Sequence, residues 1–146
     1  LVFSQFTDYL SLVRRVVETH GWTCKYLDGT TPTLQRERLV EEFQRGDGDF
    51  FLISLKAGGT GLNLTAANYV ILLDPWWNPA VENQAADRAH RIGQTQPVTI
   101  YRLVSVDTVE ERVIELHKEK NAMAADLLEG TSNTSFTSKD LLNLFR

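Results

Sequence analysis

The strongest constraint on this 146-residue chain is an alternation of short apolar runs with helical patterns. Leu1-Val2-Phe3, Thr23 to Leu27, Asp49 to Ile53, Tyr69 to Leu73 and Val98 to Val104 predict five strands. Several of these runs are continuously apolar rather than alternating, as expected of strands covered on both faces. Between the first two, Leu10, Val13 and Val17 recur at three- and four-residue spacing, with Thr7 as the expected N-cap and Gly21 as the stop. Thr31-Pro32 offers a capping hydroxyl and a proline at the first helical position for a second helix, whose buried side is Leu39, Val40 and Phe43. Asn78-Pro79 repeats that signal and predicts a third helix running to about Ile92. Thr108 to Glu111 has the form of a capping box, and Val109, Val113, Leu116, Met123 and Leu127 carry a fourth helix to Glu129.

Strands alternating with helices predict an α/β fold, a parallel sheet with helices on both faces. The expected division is one lobe over residues 1–106, a long C-terminal helix over 107–129, roughly 30 Å in length, and a linker with a short amphipathic tail over 130–146. Leu1 to Ser4 reads as the middle of a buried strand, so the chain is expected to be a piece of something longer. The longest apolar run falls far below the roughly 20 residues of a membrane span, and no membrane partner is expected. A single cysteine, Cys24, excludes an internal disulfide and a multi-cysteine zinc site, and no histidine or cysteine pair has metal spacing, so no metal site is expected. The formal net charge of −4 gives no whole-molecule attraction for nucleic acid, so any such contact must be local.

Ligands of parallel sheets gather at the carboxyl ends of the strands. Ser4-Gln5, Asp28-Gly29-Thr30, Ser54 to Asn63 and Asp74 to Asn78 all belong to that edge. In the loop from Ser54 to Leu64, Gly58, Gly59 and Gly61 permit close backbone approach to a phosphate, with Lys56 as a neighbouring cation. The alternative is a plain tight loop. No Gly-Lys-Ser/Thr is present, and the interval from Gly61 to Tyr69 is too short for the crossover helix of a dinucleotide site. Gln84, Arg88 and Arg91 stand four and three residues apart, which on a helix places them in one row. Two guanidinium forks aimed alike suit a triphosphate. The competing reading pairs them with Asp87 and Glu82 on a solvated face, and His90 between them reads as structural. Trp76 fits core packing, whereas Trp77 beside a helix cap can project toward a nucleic-acid backbone. Ser4, Gln5, Gly29, Thr30 and Lys56 could follow phosphates without reading bases.

Gln84-Ala85-Ala86-Asp87-Arg88-Ala89-His90-Arg91-Ile92-Gly93-Gln94, preceded by Asp74-x-x-Trp77-Asn78-Pro79 and by Ala57 to Leu64, resembles the second RecA-like lobe of SWI/SNF-type helicase-like ATPases. Tyr26 to Thr31 and Leu1 to Gln5 resemble the upstream motifs of that family, so the likeness covers about residues 1–129. The wording of the glycine loop and of Asp74-Pro75-Trp76-Trp77 is most similar to the bacterial branch and its nearest eukaryotic relatives. The resemblance implies a RecA-like lobe of a double-stranded-DNA translocase, with ATP and Mg held mainly by a first lobe that lies outside this sequence. It further implies Arg88 and Arg91 as arginine fingers, and Gln84, Gly59, Gly61 and Asn63 near the nucleotide. Ser4, Gln5, Gly29, Thr30, Lys56 and Trp77 correspond to positions near the DNA backbone. Leu55 replaces a Thr often found there. Implied partners are the first lobe, double-stranded DNA and protein cargo on it, in the nucleoid of a bacterium or the nucleus of a eukaryote. A non-catalytic nucleic-acid-binding module and a cofactor-using α/β enzyme such as a methyltransferase are the other classes the residues leave open.

Overall fold

Strand β1 (Val2–Ser4) is the centre of a five-stranded sheet. Helix α1 (Thr7–Thr19) leads to β2 (Cys24–Leu27), and α2 (Thr33–Gln44) leads to β3 (Phe50–Ser54). Then follow β4 (Tyr69–Leu72), α3 (Pro79–Ala86) and β5 (Thr99–Arg102). The order across the sheet is β2-β3-β1-β4-β5 and every pairing is parallel, with Phe3 opposite Ile53 on one side and Leu72 on the other. The computed structural model describes residues 1–57, 61–74, 79–112, 114, 115 and 118. The chain divides into two compact units, Leu1–Ile114 and Glu115–Arg146, and the first holds the whole sheet. Gly59, Trp76, Trp77, most of the long helix and the tail lie outside the described residues.

Side-chain alternation along the strands sorts the apolar residues into two layers. Phe3, Leu27, Phe51, Ile53, Val70 and Leu72 pack with Phe43 and Ala85, and with the partly buried Leu39 and Val40. On the opposite face Val2, Leu52 and Leu73 meet Leu10 of α1, with Val13, Tyr26 and Ile71 around them. Helices therefore cover both faces, as the alternating pattern predicts. β5 departs from the expectation of a buried run: all four of its residues are exposed, and Tyr101 stacks on Tyr69 at a centroid distance of 6.4 Å on the sheet's open margin.

The helix boundaries differ from the capping signals in instructive ways. Thr7 is the first helical residue of α1, and Phe6 occupies the cap position without a side-chain bond. Thr31 does not cap α2, whose cap position is Pro32. Its hydroxyl instead accepts the Asp28 amide at 3.1 Å and closes the turn after β2. Glu111 does reach back, as in a capping box, but to the amide of Asp107 at 3.1 Å, while the Thr108 hydroxyl donates to the Ser105 carbonyl at 2.7 Å.

The largest correction is to α3, which stops at Ala86 rather than near Ile92. The amide of Ala89 bonds the carbonyl of Ala86 at 3.1 Å, three residues back, which tightens the chain into turns. The carbonyls further on are taken by donors outside the helix: the Leu64 amide bonds Arg88 O at 3.0 Å, and the nearby Gln94 Nε2 bonds Ala89 O at 3.1 Å. Gly93, with φ of +103°, completes the reversal. Gln84, Arg88 and Arg91 are thus not in one helical row.

One ion-pair network ties α2 to the edge strand. Lys25 Nζ lies 2.7 Å from Glu42 and 2.8 Å from Asp47, and Arg38 Nε lies 2.7 Å from Glu42. Hydrogen bonds from Lys25 and then Arg38 hold the Glu42 carboxyl down to about 2. A depressed native value adds stability above the ordinary carboxylate range and loses it on acidification. Glu42→Gln should lower the melting temperature at pH 7, and the gap from wild type should shrink steadily toward pH 2. A gap independent of pH in thermal melts would contradict the network's charge.

Candidate functional site

The connection leaving β1 runs toward β2, whereas the one leaving β4 runs toward β5, so the direction of winding changes between these neighbours. Such a switch point opens a crevice at the carboxyl rim of a parallel sheet. Ser4 and Gln5 on β1's side and Asp74 on β4's side occupy it. Asp74 Oδ2 accepts the Gln5 amide at 2.9 Å, and the Ser4 hydroxyl accepts the Phe6 amide at 3.0 Å, so two side chains lock the turn that leaves β1. Ser4 is fully buried, and its hydroxyl serves the turn. Asp74 is only 5% exposed and its Oδ1 has no hydrogen-bond partner. Burial raises its carboxyl above the ordinary range. The Ser4 hydroxyl and the Gln5 amide oppose the rise, and the charges of Glu110 and Glu82 add to it.

Arg88 is a further buried charge at this end, alongside Asp74 and the Glu82 carboxyl of α3. It is 4% exposed, and neither its Nε nor its Nη1 has a hydrogen-bond partner. The guanidinium carbon lies 6.0 Å from the centre of the Phe3 ring. Burial, and next the charge of Arg91, bring its pKa down to about 10, which leaves it cationic at neutral pH. Arg91 is exposed and donates through Nη1 to the Gly61 carbonyl at 3.1 Å. With the Leu64 amide on Arg88 O, this contact lays the segment around the two arginines along the end of the glycine-rich loop. Among the described residues neither arginine forms an ion pair. Glu82 instead meets Arg102 of β5 at 2.8 Å, so the solvated pairing weighed from spacing is not formed. An unpaired buried cation carries a large desolvation cost, and an anion is the ligand that relieves it.

The remaining residues spread along the rim. Thr30, Lys56 and Gln5 follow β2, β3 and β1, which are neighbours in that order. At roughly 4.8 Å per strand they span about 10 Å. Lys56, Gly29 and Thr30 are exposed and Gln5 is half-buried. Thr30 is held by Asp28, whose Oδ1 accepts its amide at 2.8 Å and its hydroxyl at 2.6 Å. Those bonds, the hydroxyl first, lower the Asp28 pKa. Gly61, Asn63 and Gln84 are exposed, and Gly61 is joined to Arg91. Among the described residues no cluster of histidine, cysteine or carboxylate groups could hold a metal ion.

Two positioning residues were missed in the sequence. Arg36 donates to the carbonyls of Thr31 at 2.7 Å, Asp28 at 3.1 Å and Ala57 at 3.3 Å, joining the carboxyl ends of β2 and β3. Gln94 donates to the carbonyls of Thr65, Ala67 and Ala89 at 2.9 to 3.1 Å. Arg36 looks like one more charge on a polar helix, and no local pattern marks it. Gln94 stood inside a quoted motif without a role.

Residues 1–93 match the helicase conserved C-terminal domain. The chain is 48% identical over 150 residues to the helicase-like transcription factor CHR27 of Arabidopsis thaliana. It is 45% identical over 148 residues to the DNA repair protein RAD5 of Cryptococcus neoformans. Both alignments take in 99% of this chain, but it spans only 14% and 12% of those relatives. A crystal structure of the C-terminal part of the Fun30 ATPase domain superposes with a TM-score of 0.76 at 42% identity, covering 79% of this chain and 38% of that one.

Asp74 generates a test of the crevice. A carboxyl that holds its proton more tightly when folded contributes stability that is lost as pH rises through the raised native value. Asp74→Asn should therefore be at least as stable as wild type at pH 7, and the difference in melting temperature should close as pH falls into the ordinary carboxylate range. A variant less stable than wild type at pH 7, by an amount unchanged at pH 4, would show that the carboxylate is not strained.

Proposed function

The chain belongs to the helicase conserved C-terminal domain family as a SWI/SNF-type, RecA-like lobe, and from that membership we propose that it is the second lobe of an ATP-dependent double-stranded-DNA translocase. Its task in this reading is to bring Arg88 and Arg91 to a triphosphate seated on the first lobe. The observation that carries the proposal is the buried Arg88 guanidinium with two open donors, beside a glycine-rich loop tied to Arg91. Bound ATP supplies the phosphoryl group that passes to water, with Mg neutralising charge, and the donors on this chain suit the anion rather than the metal. Arg88 and Arg91 stabilise the charge that develops as that group is transferred, because guanidinium forks remain cationic and bind oxygens bidentately. Gly59, Gly61, Asn63 and Gln84 are the proposed nucleotide-binding residues, Gly61 joined to Arg91 and Gln84 on α3, which leads into the arginine segment.

Gln5, Gly29, Thr30, Lys56 and Trp77 form the proposed DNA-backbone contacts, and Ser4 serves them by fixing the turn that holds Gln5. Neutral donors with one lysine suit a motor that must let go of each phosphate, and the net charge of −4 keeps whole-lobe attraction low. We assign residues 107–129 to a bracing helix and 130–146 to a tail after the lobe at 1–106. On the wording of the glycine loop and Asp74 to Trp77 we place the chain near the bacterial branch. Its partners are then the first lobe, duplex DNA and protein on that DNA, in the nucleoid or, in a eukaryote, the nucleus.

The test is made in the two-lobe parent protein. Arg88→Ala and Arg91→Ala should each lower DNA-stimulated ATP turnover by about a thousandfold while nucleotide binding stays nearly intact. An unchanged rate would remove the assignment. These 146 residues alone should show no DNA-stimulated turnover, and hydrolysis by them at the parent's rate would refute the shared site. Trp77→Ala should reduce translocation per ATP consumed more than it reduces thermal stability. Coupling preserved with a large stability loss would return Trp77 to the core.

A further inference from the structure

Arg88 does not project freely from the rim. Its guanidinium is buried, its Nε and Nη1 make no hydrogen bond, and its central carbon lies over the Phe3 ring, 6.0 Å from the centroid. Its own carbonyl is anchored by the Leu64 amide, so the backbone is fixed while the side chain has an unsatisfied end. A cation desolvated without acceptors can be retained by the negative face of an aromatic ring, the polarisable surface that needs no hydrogen bond. Phe3 is itself held on both sides by the sheet, opposite Ile53 and Leu72, and is 1% exposed, so the ring is a rigid support. The turn that begins one residue later contains Ser4 and Gln5 and is locked to Asp74.

We propose that Phe3 is a positioning residue that keeps Arg88 withdrawn against its ring in the lobe at rest, so that the guanidinium is released only when an anion is presented at the rim. The inference rests on the triphosphate reading above and extends it by naming what restrains the finger between encounters. The ring offers one soft attraction, whereas a phosphate oxygen satisfies the open donors, so the exchange favours the anion once it is within reach. The ring's hold would then suppress hydrolysis in the absence of DNA, and its loss would leave the fully stimulated rate alone.

The hold is tested first in this chain by phenylglyoxal labelling under native conditions, with each arginine's modification rate read by mass spectrometry. Arg88 should react about tenfold more slowly than exposed Arg91 in wild type and in Phe3→Tyr, which keeps the ring. In Phe3→Leu it should approach the rate of Arg91. Equal rates in wild type, or a slow Arg88 in folded Phe3→Leu, would overturn the hold. Should Phe3→Leu fail to fold, the wild-type proton spectrum decides: the Arg88 Nε–H should be ring-shifted upfield and slow to exchange with water, and an unshifted, fast-exchanging signal would overturn it.

In the two-lobe parent, Phe3→Leu should raise DNA-independent turnover several-fold at an unchanged DNA-stimulated maximum, with Phe3→Tyr behaving as wild type. Both rates falling together would reduce Phe3 to a core residue. Arg88→Ala separates the two layers. If it leaves stimulated turnover intact, the triphosphate reading fails and the proposed restraint on hydrolysis fails with it, while slow labelling would still show the ring's grip.

Discussion

The carbonyl groups of Arg88 and Ala89 are withheld from any helix, and the placement of the whole candidate site follows from that. Leu64 and Gln94 supply the hydrogen bonds that a continuing α3 would have supplied. A helix through Ile92 would satisfy those carbonyls locally and put Arg88 and Arg91 on one surface. These donors instead turn the chain, sending Arg88 inward over the β1 end and leaving Arg91 outside against Gly61. The segment is therefore shaped by the loop it lies on, and loop and arginines form one unit at the rim.

Charge placement follows the same logic. The molecule carries net negative charge, yet it buries a guanidinium and a carboxylate near the central strand with bonding capacity left open on each. Burial without full hydrogen bonding costs free energy at both positions. Under the proposed function, these partly unsatisfied groups face the surface that the first lobe and its nucleotide complete. For Asp74 the satisfied oxygen defines the turn after β1, and for Arg88 the open donors are those the proposed triphosphate would fill.

The architecture was legible because its signals are redundant. Strand signals at Asp49 to Ile53 and Tyr69 to Leu73, helical spacing at Leu10 and Val13, and glycine stops all agree, and one weak signal could not overturn the rest. The rim could be inferred because parallel strands place all their carboxyl ends together. What failed were capping and helix-length inferences that a competing hydrogen-bond partner overrides. Thr31 caps nothing because Asp28 competes for its hydroxyl, and α3 ends early because Leu64 and Gln94 compete for its carbonyls. Arg36 and Gln94 could not be singled out, since their partners are backbone carbonyls, which carry no residue identity. The burial of Arg88 was likewise hidden, because spacing within a presumed helix predicts neighbours but not depth.

The central claim is that guanidinium groups of this lobe complete a triphosphate site on another. Its most direct test is a crystal structure of the two-lobe parent with DNA and ADP bound to an aluminium fluoride mimic of the transferred phosphoryl group. The account predicts the Arg88 and Arg91 side chains within hydrogen-bond distance of the fluoride ligands, with Arg88 lifted from the Phe3 ring. Arg88 still seated on that ring and Arg91 still on the Gly61 carbonyl, with the mimic's charge met by other residues, would contradict it.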